Sequence, residues 1–376
     1  MRTAIIGAGL AGAAAALALA RAGAKATLFD QFAFGHDRGS SHGATRLFRT
    51  AYFEHPDYVP ILQRALESWR TLERAAGETL FHQTGVLEAG PPDGFLIPGL
   101  HKAIADHDLP VERLSRAALK RDHGALVLPD SFDAIFEKEA GFILADKALA
   151  AMIRLARAHG ASLRPETRVT NWEPAIDAVA LWTDAGREVF DSIVIAAGSW
   201  ANALVGLEAA KTQIAEMTLH WRRPATDAFT LDKGFAPFGI ETQAREFYYG
   251  FPAIDSDGVK LGEHTRRKTI NDHGERSETP APGEEALIDD FLQRFIPALA
   301  HRSGKRQSCL YEMSADGHFL IDRHPASERV VFAAGLSGHG FKFAPVLGEA
   351  IAAMTLEKRT PAEWEFLSLR RFGASA

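Results

Sequence analysis

The chain has 376 residues, 46% of them apolar and 24% charged, with a formal net charge of −6. This much apolar material can bury a large core, divided between two domains, and the mixing of acids with bases excludes the basic footprint of a nucleic-acid binder. A single cysteine cannot close an internal disulfide, so the fold is unstapled and a reducing, cytoplasmic setting is expected.

Residues 3–20, TAIIGAGLAGAAAALALA, carry no charge. Length alone would permit a leader or a membrane span. The run is mostly Ala and Gly, however, a poor driving force for insertion, and no membrane association is expected. It reads instead as strand TAIIG, turn and helix LAGAAAALALARAG ending at Gly23, followed by a second strand, AKATLFD. Residues 57–77 place Val59, Leu62, Leu66, Trp69 and Leu72 at helical spacing, a stripe that faces a core. From 86 to 140 the pattern is irregular, with a PPDG turn and two short helical candidates. A helix returns in DKALAAMIRLARAHG, closed by Gly160, and a hairpin around Asp184, Ala185 and Gly186 feeds a buried strand. Residues 212–264 read as sheet and 273–285 as a polar loop. The tail reads as strand, glycine-rich loop and helix.

Gly7, Gly9 and Gly12 form G-x-G-x-x-G between the first strand and helix, and Asp30 ends the next strand. The first glycine makes the tight turn, the second admits a pyrophosphate to the backbone, and the third lets helix and strand pack closely. The helix N-terminus offers its positive dipole end to phosphates, and Asp30 is placed for ribose hydroxyls. This pattern does not separate NAD from FAD. Two apolar strands ending in Ala-Gly, IVIAAGSW (193–200) and VVFAAGLSGHGF (330–341), point to FAD, because a glycine there lets the loop lie against a flat ring.

Four blocks then carry a resemblance: GSSHGATRLFRTAY (39–52), YYGFP with GVKLGEH (248–264), SCLYEMSADGHFLIDRHP (308–325) and GLSGHGFKF (335–343). In these the chain resembles the monomeric sarcosine oxidases and N-methyl amino acid oxidases, FAD enzymes of D-amino-acid-oxidase-like architecture. The expected fold is α/β with an α+β insertion. A Rossmann-type FAD domain would be assembled from 1–85, 141–211 and 308–376. A substrate domain on a mixed, largely antiparallel sheet would come from 86–140 and 212–307.

The resemblance implies that Cys309 holds the flavin 8α-methyl group through its sulfur. It puts Ser41, His42, Thr45 and Arg46 beside the cofactor, with further contacts from Val169, Ala197, Gly198 and Trp200 and from Gly338, Gly340, Phe341 and Lys342. Arg46 and Arg49 are three apart, neighbours if locally helical. Arg49 and Lys342 would clamp a substrate carboxylate, a planar guanidinium beside a point charge. Lys260, which pattern alone would turn to water, would stand at flavin N5 and promote reaction with O2. Tyr249, His264 and Tyr311 would line the pocket.

The implied enzyme is a monomer that oxidises a secondary amino acid such as sarcosine to an imine, reducing O2 to H2O2. The imine hydrolyses to an aldehyde and a primary amino acid. Alternatives are the same chemistry on iminodiacids, N-methyltryptophan, fructosyl amino acids or cyclic imino acids, with Ile240, Glu241 and residues 86–98 as selectivity positions. An NAD(P)-dependent dehydrogenase and a non-catalytic FAD-binding subunit are the rivals from other classes. No His/Cys cluster has metal-ligand spacing, and no pair of carboxylates is placed for acid–base work.

Overall fold

The structure, a computed structural model, describes residues 1–206, 210–277 and 283–373. At its centre lies a six-stranded sheet in the order Leu320–His324, Ser327–Ala334, Ser192–Ile195, Arg2–Ile6, Lys25–Phe29 and Ser162–Arg164. Its neighbours run parallel except for the antiparallel first pair. The charge-free N-terminal run is the heart of this layer. Arg2–Ile6 is an inner strand, and the helix Leu10–Arg21 has ten of its twelve residues buried, packed against the helices Ala145–Ala158 and Ala344–Leu356. Small residues are required where these backbones meet: a Cβ on Gly348 would strike the Ala14 carbonyl. Among the described residues, no helix is long and apolar enough to cross a membrane.

The helix expected over 57–77 is Tyr58–Ala76, with its five stripe residues buried and Gly77 ending it at φ 70°. The expected hairpin forms between Ala178–Thr183 and Gly186–Phe190 and leads into the buried strand Ser192–Ile195. Of the polar loop 273–285, residues 278–282 lie outside the described residues, and the helix Glu284–Phe295 begins directly after Gly283.

A second, nine-stranded mixed sheet holds the strands between 86 and 137, those between 213 and 270, and Arg306–Met313. Val86–Gly90 runs parallel to Phe238–Glu241, and the other pairings are antiparallel. The two helices expected within 86–140 are Leu96–His107 and Arg116–Asp122. The strand Val86–Gly90 was not legible because all five of its residues are buried, which erases the apolar–polar alternation. Arg306–Met313 pairs along its whole length with Gln213–Arg222, so the strand carrying Cys309 hydrogen-bonds into this large sheet. Thr45–Phe48 is a strand paired with Gly141–Leu144, so the helical condition under which Arg46 and Arg49 would be neighbours is not met.

Candidate active site

The glycine-rich loop is shaped by its own backbone. Gly7 sits at φ 98°, where a Cβ would also collide with the Ala196 carbonyl, and a Cβ on Gly12 would strike the carbonyl of Gly7. Asp30 ties the loop to the end of the second strand, accepting from the Ala8 amide at 2.8 Å and the Phe32 amide at 2.9 Å, with a lone pair left on each oxygen. Gly9 gives the first helix no side-chain cap, and the Leu10 amide donates to Ser41 Oγ at 2.9 Å. A cleft of about 250 Å³ runs along this loop. Its walls include Gly7, Gly9, Asp30 and Ser41, then Val169, Ala197, Gly198 and Trp200, and also Arg46, Gly338, Gly340 and Phe341. Thr167, Thr170, Leu336 and Glu312 also line it; sequence reasoning missed them because their neighbours, not they, carry the motif.

A smaller chamber of about 70 Å³ adjoins the cleft and shares Arg46, Tyr311, Gly338 and Phe341 with it. Arg49, Tyr249, His264, Cys309 and Lys342 line this chamber, joined by Glu54 and His339, which the sequence reading did not single out. Cys309 is 1% exposed, and burial raises its thiol pKa against the opposing pull of Arg46 and Lys260. Burial lowers His264 to about 3, and burial raises Tyr249 to about 12.

Gly12, His42, Thr45 and Lys260 line neither space, although the last three lie just behind the wall. Gly12 is a packing residue. Arg46 gathers the 40–45 loop by donating to the carbonyls of Ser40, His42 and Thr45 at 2.8, 2.5 and 2.8 Å. Lys260 Nζ donates to the carbonyls of Gly43 and Thr45 at 2.5 and 2.7 Å and lies 5.0 Å from the Phe251 ring centroid. Burial, then the charge of Arg46, pushes the Lys260 pKa well below the usual ammonium range, while the two carbonyls hold its protons in place. The strand that carries Lys260 is covered on both faces, which is why the lysine does not reach water.

Arg49 and Lys342, which line the chamber together with Arg46, are held differently. Arg49 is 3% exposed, donates to Glu54 at 2.9 Å and stands 3.4 Å from Glu88 Oε1. Burial opposes its charge, but Glu54 and Glu88 more than offset this and raise the guanidinium pKa. Glu88 itself is pushed up to about 8 by burial, with Arg49 opposing. It escaped the sequence reading because it occupies the middle of the apolar strand VLEAG. Lys342 is brought down to about 7 by burial and then by Arg49. Ile240 and Glu241 do not line the chamber, nor does any residue of 86–98. Glu241 instead accepts from the Phe95 and Leu96 amides at the start of the helix Leu96–His107.

The residues fit a flavin dinucleotide on three grounds. The cleft passes the glycine loop, Asp30 and Arg46, the glycines put no Cβ on its wall, and buried polar atoms behind that wall, both His42 ring nitrogens and Thr45 Oγ1, have no partner among the described residues. A family model described as FAD dependent oxidoreductase matches residues 2–354, and with the parallel sheet and its glycine loop this defines the class of the protein. The chain is 34% identical, over 98% of its own length and 96% of the relative's, to monomeric sarcosine oxidase of Bacillus sp. (strain NS-129). It is 31% identical, over 98% of both chains, to N-methyl-L-tryptophan oxidase of Yersinia pestis (strain Pestoides F). Its fold matches that of NikD, an amino acid oxidase essential for nikkomycin biosynthesis, with a TM-score of 0.84 at 23% identity, covering 97% of this chain and 96% of that one. The chain belongs to the family of monomeric sarcosine oxidases and N-methyl amino acid oxidases within the FAD-dependent oxidoreductases, and it is an FAD-dependent amine oxidase. Membership sets aside the NAD(P)-dependent dehydrogenase and the non-catalytic subunit.

Proposed function

We propose that the protein oxidises a short N-alkylglycine, sarcosine or a close analogue, consuming O2 and water and releasing a primary amino acid, an aldehyde and H2O2. One observation carries this reading: two cations, Arg49 and Lys342, face a small chamber that shares walls with the end of a dinucleotide cleft. Arg49 and Lys342 would hold the carboxylate, which positions the amine and its N-alkyl carbon toward the shared wall. Bound FAD supplies a two-electron acceptor there. The imine product takes up water and splits, and O2 accepts the two electrons with two protons.

Gly7, Gly9, Asp30 and Ser41 would hold the dinucleotide, and Arg46, Gly338, Gly340 and Phe341 its redox end. Cys309 lines the chamber next to the shared wall residue Tyr311 and would carry the covalent link. Lys260, whose Nζ is fixed by the Gly43 and Thr45 carbonyls behind the wall, would serve the reaction with O2. The chamber measures about 70 Å³, against about 10–15 Å³ for one water on a comparable measure. This supports a substrate of a few heavy atoms over an indole or a sugar adduct. We divide the chain by its sheets into a cofactor unit and a substrate unit. The relative's name supports a monomer, and the single thiol supports a reducing compartment. A panel of sarcosine, iminodiacetate, N-methyltryptophan, a fructosyl amino acid and pipecolate, scored by peroxide release, tests the reading. Sarcosine-sized substrates should give the highest kcat/KM, and a preference for the indole or sugar adduct overturns it.

A further inference from the structure

Tyr52 is fully buried at the back of the chamber, and both clamp cations rest on its ring. Arg49 Cζ lies 4.7 Å and Lys342 Nζ 4.9 Å from the ring centroid. Its hydroxyl meets two groups. His339 Nδ1 is 2.6 Å away and Lys342 Nζ is 3.4 Å away. The direction of these bonds follows from what each partner can do. His339 Nε2 faces the Gly317 carbonyl at 2.9 Å, an acceptor only, so Nε2 carries the hydrogen. Burial and the neighbouring Lys342 keep this histidine neutral, which leaves Nδ1 a bare lone pair. The single proton of Tyr52 therefore goes to Nδ1, and the tyrosine oxygen presents a lone pair to Lys342.

We propose that Tyr52, locked by His339, is a positioning residue that holds Lys342 Nζ in the chamber as a protonated carboxylate receptor. An acceptor oxygen favours the ammonium over the free amine, and the His339 carbonyl at 2.9 Å adds a second acceptor on the same nitrogen. The chain Gly317–His339–Tyr52–Lys342 thus sets both where this cation stands and up to what pH it remains a cation. The inference rests on the carboxylate-clamp reading above. Other charged or titratable groups facing Lys342 are Arg49, Glu54, Glu88 and His264.

The test is the dissociation constant of methoxyacetate, a carboxylate with no oxidisable amine, measured on flavin-loaded protein by calorimetry from pH 5.5 to 9. In the unsubstituted protein Kd should be flat at low pH and weaken as Lys342 loses its proton, from about pH 7 upward. Tyr52→Phe keeps the ring beneath both cations and removes only the acceptor. Loss of one hydrogen bond to a charged group should move the break down by about one unit. Kd would then be about twofold weaker at pH 6 and about tenfold weaker at pH 8. In a Lys342→Arg background, where the cation does not titrate, the same substitution should leave the profile in place. A uniform weakening at every pH, or a shift that persists with arginine, overturns the proposal. Absence of methoxyacetate binding to the unsubstituted protein overturns the clamp reading itself.

Discussion

Cys309, Lys260 and Glu88 show how much a buried residue depends on its neighbours. An inert core thiol and a flavin anchor look alike in burial; the anchor proposed for Cys309 is supported by its place in the chamber beside Arg46, whose charge opposes the cost of a thiolate. Cys309→Ser should leave flavin extractable by acid, whereas the unsubstituted chain should keep its yellow band on a denaturing gel; extraction from both would refute the covalent link. Lys260→Met removes the only lysine nitrogen bonded to the 43–45 carbonyls among the described residues. Rapid-mixing measurements should show reoxidation by O2 slowed about a hundredfold, the scale of one lost electrostatic donor, with anaerobic reduction by substrate much less affected. Glu88 was legible as a letter but not as a site. Its strand pattern VLEAG suggests nothing, and only the crossing of distant segments sets it against Arg49.

At the scale of elements, the loop between the first strand and helix was the most legible part of the chain. Its requirements are local: a positive φ at Gly7, and no Cβ where Gly12 meets the Gly7 carbonyl. Gly12→Val should therefore lower stability by about 3 kcal/mol through overpacking and prevent flavin loading, seen as a lower urea midpoint together with a colourless product. The conformation of 45–49 was not legible, because two arginines three apart suit a helix as well as a strand. Pairing with Gly141–Leu144, almost a hundred residues away, decides the matter. From that strand Arg46 reaches the loop carbonyls as well as the chamber, which Arg49 also lines.

For the whole molecule, the buried carboxylates make stability depend on pH. Glu312 is buried, bonds the Gly335 amide at 2.7 Å, and is raised by burial from 4.5 to about 8. The folded state therefore holds a proton that the unfolded chain gives up above about pH 4.5. Its contribution is fully present below that value and is lost as pH rises through 8. Glu312→Gln, which keeps the shape without the charge, should flatten the decline in melting temperature between pH 5 and 8. An unchanged slope would show that Glu312 titrates normally. Buried histidines act in the opposite sense. His42 and His264, lowered by burial to about 4 and about 3, withdraw stability as pH falls below the 6.5 of a free imidazole.

By itself the amino-acid sequence determined the cofactor loop, the helix stripes, the buried N-terminal run and the family blocks, because each depends on neighbours within about twenty residues. Only the tertiary structure decided which charges meet. Arg49, Tyr52, Glu54, Glu88, His339 and Lys342 come from opposite ends of the chain. Their protonation follows from burial and from one another, quantities that exist only once the two sheets have closed around the chamber.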